Sequence, residues 1–229
     1  MFYNYKMEQK LNIIDYKKIS NLCDFFKIQL KNNPKKGFLY SKQNSDWEEH
    51  TYLELNNIIK KIISFLLKNE ISKNDRVMLI SNNCIEWFAS DMAILLVGAI
   101  TVPSFSTNNI NDNKFILEDS KPSVIILENI SIYKKNLEIF KKLKNKILFI
   151  EDTPGFFSIK KINISQGTFR LPRLKKSDIC SIIYTSGTSG NPKGVVLTHG
   201  SIIHNLEAAY HLLKELNINQ EKFLSFLPL

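Results

Sequence analysis

The spacing of apolar residues changes period several times along the chain, and each change marks an element. Between residues 16 and 31, Ile19, Leu22, Cys23, Phe26 and Leu30 fall at helical spacing, and Pro34 interrupts the run. Thr51 and Glu54 form a T-x-x-E capping box, and Leu55, Ile58, Ile59, Ile62, Ile63 and Leu66 mark the buried face of the helix it starts. Residues 76–81 have strand chemistry and lead into a helical stretch through Trp87 and Leu95 to Gly98. The alternation then repeats. Strands are expected at 99–103, 123–128 and 146–151, with a helix at 113–120 and a basic helix from Ser131 between them.

Strands alternating with helices over about 80 residues argue for parallel βαβ units. Continuous apolar strands such as Val124-Ile125-Ile126-Leu127 suit a sheet covered on both faces. The expected fold class is therefore α/β, layered sheets with flanking helices. Residues 152–177 break the pattern with Pro154, Gly155, Gly167 and Pro172. They are expected to connect a first lobe, 1–151, to a second lobe opening within 178–229.

The chemistry concentrates after Asp178. An apolar strand at 179–184 is followed by a run, 185–194, that is almost entirely small, hydroxylated or glycine. Strand propensity resumes at 195–198, and a helix is expected at 201–215. Gly187, Gly190 and Gly194 can take positive φ and let successive backbone N–H groups converge on an anion. Thr185, Ser186, Thr188 and Ser189 add hydroxyl donors, and Lys193 adds a mobile positive charge beside Pro192. Such a loop can cradle a polyphosphate; a Gly/Ser/Thr surface loop has the same composition. It is not a Walker A loop, which would need Gly at position 192 and a hydroxyl at 194.

Charge and composition narrow the partners. The net charge is +9, from 31 Lys+Arg against 22 Asp+Glu. It is spread along the chain, and its densest stretch, 134–146, interleaves with Leu137, Ile139, Phe140 and Leu143, as one solvated helix face does. Nucleic acid is not needed to explain it; peripheral membrane association stays open. A mean hydropathy of -0.14 excludes an integral membrane protein. Cys23, Cys84 and Cys180 have no metal-ligand spacing and read as reduced thiols. With no apolar leader at the N-terminus, a cytoplasmic chain is expected, with the inner face of a membrane as the alternative location. His199 and His204 lie near Ser186 without an evident acidic partner, which argues against hydrolase chemistry. Trp87 and Phe88 read as core, Asp75-Arg76 as a surface turn, and Glu151-Asp152 as a pair lacking further metal ligands.

The string YTSGTSGNPKGVVLTH, residues 184–199, closely resembles the signature block of the AMP-forming acyl-CoA synthetases, within the adenylate-forming superfamily. Ser189 stands where that family more often has Thr. Residues 74–107 resemble its G-D-R-V, Trp-containing helix and G-A…V-P segment, with Asn74 where Gly is usual, and HTYLEL (50–55) resembles an early helix start. The resemblance implies an enzyme that activates a carboxylic acid with MgATP and passes the acyl group from its adenylate to coenzyme A. NPKGVVLTH and FLSFLPL favour a long-chain fatty acid. It further implies that Thr185, Ser186, Gly187, Thr188, Ser189, Gly190 and Lys193, with Gly194 beside them, hold the β- and γ-phosphates of ATP.

The family's Mg²⁺ and ribose partners and its catalytic lysine have no counterpart before Leu229. The expectation is thus the N-terminal portion of an AMP-binding domain whose partner is the remainder of a ligase chain. Alone it would be inactive, contribute no catalytic or metal residue, and leave a sheet edge uncovered. The alternatives are a non-catalytic ATP-binding remnant, or the N-terminal part of another acid ligase or adenylation module.

Overall fold

The computed structural model describes residues 15–164, 169–185, 192–214 and 224–225. A 3₁₀ turn at Tyr16–Lys18 precedes helix α1 (Cys23–Asn32), an antiparallel ribbon of β1 (Gly37–Gln43) and β2 (Asp46–Thr51), and helix α2 (Tyr52–Lys68). There follow β3 (Arg76–Ile80), α3 (Ile85–Leu96), β4 (Ile100–Ser104), α4 (Ile110–Ser120) and β5 (Val124–Leu127). Two short helices, α5 (Ile130–Lys135) and α6 (Leu137–Phe140), lead to β6 (Ile147–Phe149) and β7 (Phe157–Ser158). Finally come β8 (Ile179–Thr185), β9 (Lys193–Thr198) and α7 (His199–Lys214).

The last seven strands form one sheet in the order β7-β6-β5-β3-β4-β8-β9. Neighbours from β7 to β8 are parallel, and β9 closes the edge antiparallel to β8. Residues after 178 thus extend the same sheet that β3 begins. Because side chains alternate along a strand, β3 feeds two cores. Val77 and Leu79 pack with α2 and α3 residues such as Leu55, Ile62 and Ala93. Met78 and Ile80 pack on the other face with Ile116 of α4, Tyr133 of α5 and Phe140 of α6. Trp87 and Phe88 lie against the first core, and Phe88 meets Phe26 and Phe38.

The elements end where local chemistry ends them. Thr51 accepts from the Glu54 N–H at 3.2 Å while the Glu54 carboxylate accepts from the Thr51 N–H at 2.8 Å, the capping box foreseen above. Helix α3 stops at Gly98, whose φ of +78° turns the chain into β4. A Cβ there would also lie 2.9 Å from Pro172 Cγ, so the segment before β8 approaches this turn closely. Asn74 has φ 71°, the left-handed conformation that Asn tolerates in place of Gly. Asp75-Arg76 is more than a surface turn. The Arg76 guanidinium donates to the Ser120 and Lys121 carbonyls at 2.8 and 3.0 Å, and the Asp75 carboxylate accepts from Ser72 and Ser123, tying the start of β3 to that of β5.

Three expectations shift. Helix α1 begins at Cys23, because Asp24 accepts from the Ser20 and Asn21 N–H groups and Asn21 accepts from the Cys23 N–H, holding 20–22 out of the helix. The basic helix breaks at Asn136, whose buried amide donates to the Ile132 carbonyl and accepts from Asn113. The β1–β2 ribbon, turned at Asn44 with φ 54°, and β7 within 152–177 were not foreseen.

The three cysteines are free, and burial pushes the Cys23 and Cys180 thiols up to about 12. Among the described residues no helix is long and apolar enough to cross a membrane. Among the described residues β9 is the outer strand of the sheet, and it exposes 45% of Val195 and 53% of Val196.

A polar joint sits inside this apolar sheet. Buried Thr101 of β4 donates to the Asp91 carboxylate of α3 at 2.5 Å, and its carbonyl accepts from the Ser181 hydroxyl of β8 at 3.1 Å. Burial pushes the Asp91 carboxyl up to about 6, partly offset by the Thr101 bond. A folded pKa above the usual 3.8 favours the protonated form, so stability is lost as pH rises from about 4 to about 6. Asp91→Asn is expected to gain roughly 1–3 kcal/mol at pH 7.5 and nothing at pH 4, measured by urea unfolding at the two pH values. Thr51→Ala is expected to cost about 1 kcal/mol in the same assay, from loss of the α2 cap.

Candidate functional site: the β8–β9 hairpin

Antiparallel pairing from Ile179↔Thr198 to Thr185↔Lys193 makes β8 and β9 a hairpin whose far end carries the candidate phosphate loop. Of the residues expected to hold phosphate, Thr185 closes the end of β8 and Lys193 opens β9 directly opposite it. Ser186, Gly187, Thr188, Ser189 and Gly190 lie outside the described residues. Both described side chains are exposed. Among the described residues no carboxylate lies within ion-pair distance of the Lys193 ammonium, which leaves its charge available to an anion.

Gly194 lies in extended strand, not in the positive-φ turn expected of it. What it supplies is room. A Cβ at Gly194 would stand 3.0 Å from Ile182 Cγ2 and 3.2 Å from Tyr184 Cζ, because the Tyr184 ring lies across it from the facing strand.

The base of the hairpin is pinned by residues that no sequence pattern brings together. Lys73, before β3, pairs with Asp178 at 2.7 Å, and its ammonium holds the Asp178 carboxyl below the usual carboxylate range. The same carboxylate accepts from the Lys175 N–H at 2.9 Å, and the Asp178 carbonyl accepts from the His199 N–H at 3.0 Å. Thr198 and Ser201 exchange backbone-to-hydroxyl bonds at 3.1 Å and cap α7.

His199 is 2% exposed, and its Nδ1 accepts from the Leu22 N–H at 3.3 Å, so it supports the start of α1 and is no partner for Ser186. Burial pushes its pKa down, against the pull of Asp178 and Asp24. The neutral acceptor is therefore fully present above about pH 6.5 and is withdrawn as pH falls below it. His204 is exposed on α7.

A separate open cavity of about 450 Å³ lies at the carboxyl ends of β3, β5 and β6. Glu86, Glu128, Glu151 and Asp152 line it against the ammonium of Lys160. That balance of charge repels a triphosphate, whereas the end of the hairpin presents a cation. Among the described residues no three His, Cys, Asp or Glu side chains gather as metal ligands.

Comparison with known proteins bears on this geometry. The family described as AMP-binding enzyme matches residues 26–229. A long-chain-fatty-acid–CoA ligase of Mycobacterium tuberculosis is 30% identical over 191 residues, covering 80% of this chain and 32% of the relative. Long chain acyl-CoA synthetase 3 of Arabidopsis thaliana is 29% identical over 232 residues, covering 90% and 35%. The fatty acyl-adenylate ligase from L. pneumophila, solved in complex with acyl adenylate and pyrophosphate, matches with a TM-score of 0.69 at 22% identity, over 87% of this chain and 34% of that one. The chain spans about a third of the length of the curated relatives it matches. With a family match running over residues 26–229, on a parallel-rich sheet ending in the hairpin described above, the protein belongs to the AMP-binding enzyme family.

Proposed function

We propose that this chain is the part of an ATP-dependent acyl-CoA ligase that receives the triphosphate, and that the acid activated is a long-chain fatty acid. The observation that carries the reading is the Lys193 ammonium at the mouth of the β8–β9 hairpin, facing Thr185 and without an acidic partner among the described residues, within the block that resembles the family's signature. In the reaction a carboxylate oxygen attacks the α-phosphorus of ATP, and the bond to the β-phosphate breaks. Pyrophosphate leaves with the bonding electrons, and the thiol of coenzyme A then displaces AMP. The role assigned to Thr185, Ser186, Gly187, Thr188, Ser189, Gly190 and Lys193 is to hold the β- and γ-phosphates while negative charge builds on the leaving group. Gly194 serves beside them by admitting the Tyr184 ring.

Mg²⁺ enters with the nucleotide and supplies further charge neutralisation, and no described residue is assigned to it. The fatty-acid class is supported by the names of the relatives at 29–30% identity. The pyrophosphate held by the L. pneumophila enzyme shows that a related fold accommodates that leaving group.

Because the chain spans about a third of its relatives, adenylation is assigned to this chain together with the remainder of a ligase. Purified chain is expected to give no fatty-acid-dependent ATP–pyrophosphate exchange; exchange above the acid-free background would overturn that division of labour. In the binding step, Lys193→Ala is expected to weaken ATP about tenfold and leave AMP unchanged, as measured by calorimetric titration, since the ammonium meets only the phosphates that AMP lacks. Equal losses for both nucleotides would remove Lys193 from the phosphate site. Micromolar ATP binding that persists without any acid-dependent turnover in a chain extended to ligase length would favour a non-catalytic nucleotide module.

A further inference from the structure

β8 lies beside β4 and joins the hairpin to the body of the sheet. Among the described residues β8 pairs with β4 at one register position, Thr101↔Ser181, so residues 182–185 run on with β9 alone as a ladder partner. The far end of the hairpin thus has few ladder bonds to the sheet, and a tie to a flanking helix helps fix where it points. Tyr184 makes that tie. Its ring crosses Gly194 and meets the Phe115 ring of α4 edge-on, with centroids 6.4 Å apart at 84°. Its hydroxyl donates to Asp119 Oδ2, also on α4, at 2.5 Å.

Three details make this more than packing. First, a phenylalanine would keep both ring contacts, so the hydroxyl is what the Asp119 contact requires. Second, Gly194 leaves the space the ring occupies. Third, Tyr184 immediately precedes Thr185 and faces Gly194 next to Lys193, so it acts where the hairpin opens into the loop. Burial first, and the Asp119 carboxylate second, push the Tyr184 pKa up, so the hydroxyl keeps its proton and donates throughout the neutral range.

We propose that Tyr184, held by Asp119, is a positioning residue that aims the hairpin's far end and so sets where Lys193 stands when a triphosphate binds. The Asp119 carboxylate is its anchor on α4, and Gly194 is the clearance it needs. The triphosphate clause rests on the function proposed above; the tie itself rests on the geometry of β8, β9 and α4.

The experiment compares wild-type chain, Tyr184→Phe, Asp119→Ala and Asp119→Asn by amide hydrogen exchange and by calorimetric titration with MgATP and with AMP. Tyr184→Phe and Asp119→Ala are each expected to speed exchange of the 194–196 amides about tenfold, the effect of one lost charge-assisted hydrogen bond, with 197–199 and β3 unchanged. Asp119→Asn, which keeps an oxygen acceptor, is expected to stay within about threefold of wild type. Combining Tyr184→Phe with Asp119→Ala should add nothing to either, because both remove the same bond. The ratio of ATP to AMP affinity should fall about fivefold in the two disruptive variants and hold in Asp119→Asn.

Unchanged exchange at 194–196 overturns the tie. Exchange that rises equally in β3 overturns positioning in favour of a general stability role. Faster exchange with an unchanged ATP-to-AMP ratio, in a wild type that prefers ATP, overturns the aiming of Lys193. A wild-type chain that binds ATP and AMP equally overturns the phosphate reading instead, and the exchange data then decide the tie by themselves.

Discussion

The hairpin joins the sheet at Thr101, a buried residue of β4 that bonds to both α3 and β8. β4 sits between β3 and β8, buried nearly along its whole length, where an apolar side chain would be the default. Thr101 breaks that default. Its hydroxyl finds the Asp91 carboxylate, and its carbonyl receives the Ser181 hydroxyl at the place where β8 joins. Without Asp91 the buried hydroxyl would lack the acceptor it has here. The desolvated carboxylate is the cost of this arrangement, and its raised pKa is the sign of that cost. The residue at which β8 joins the sheet thus also holds a buried acid of α3 in place.

Two cations and their partners define what surrounds that joint. Lys73 is consumed by Asp178 and serves geometry, whereas Lys193, without an acidic neighbour among the described residues, serves as charge. The cavity at the carboxyl ends of β3, β5 and β6 carries the opposite sign. A polyanion approaching this face meets attraction at the hairpin and repulsion near Glu128 and Glu151, so the field separates the two regions before any shape is felt.

Much of this was legible in the sequence wherever one local rule governed a segment. The capping box at Thr51, the all-apolar Val124–Leu127 and the helical period of α2 each follow from neighbours within a few residues. Asn74, standing where the resembling family has Gly, adopts the left-handed conformation that explains both residues. The failures have contacts behind them that periodicity does not encode. The break between α5 and α6 depends on Asn113 from another element, the late start of α1 on side chains that compete for its first N–H groups, and the pinning of β8 on Lys73 far upstream. The polar ribbon β1–β2 alternates too little in burial to show the period of a strand. At the hairpin, the order of small residues suggests a phosphate cradle, and the structure adds that Gly194 makes way for a tyrosine ring.

The bond between His199 and the Leu22 N–H closes a separation of 177 residues. Contacts of such span carry the largest loop-closure entropy and form after the local ones. As the chain leaves the ribosome, α1, α2 and the β3–β5 layer can assemble while the acceptor for Leu22 has yet to be synthesised. The opening turn of α1 is thus completed by one of the protein's later residues. Docking of α7 becomes an event that reports back to the N-terminus, and synthesis that stops short of His199 leaves that first turn unfinished.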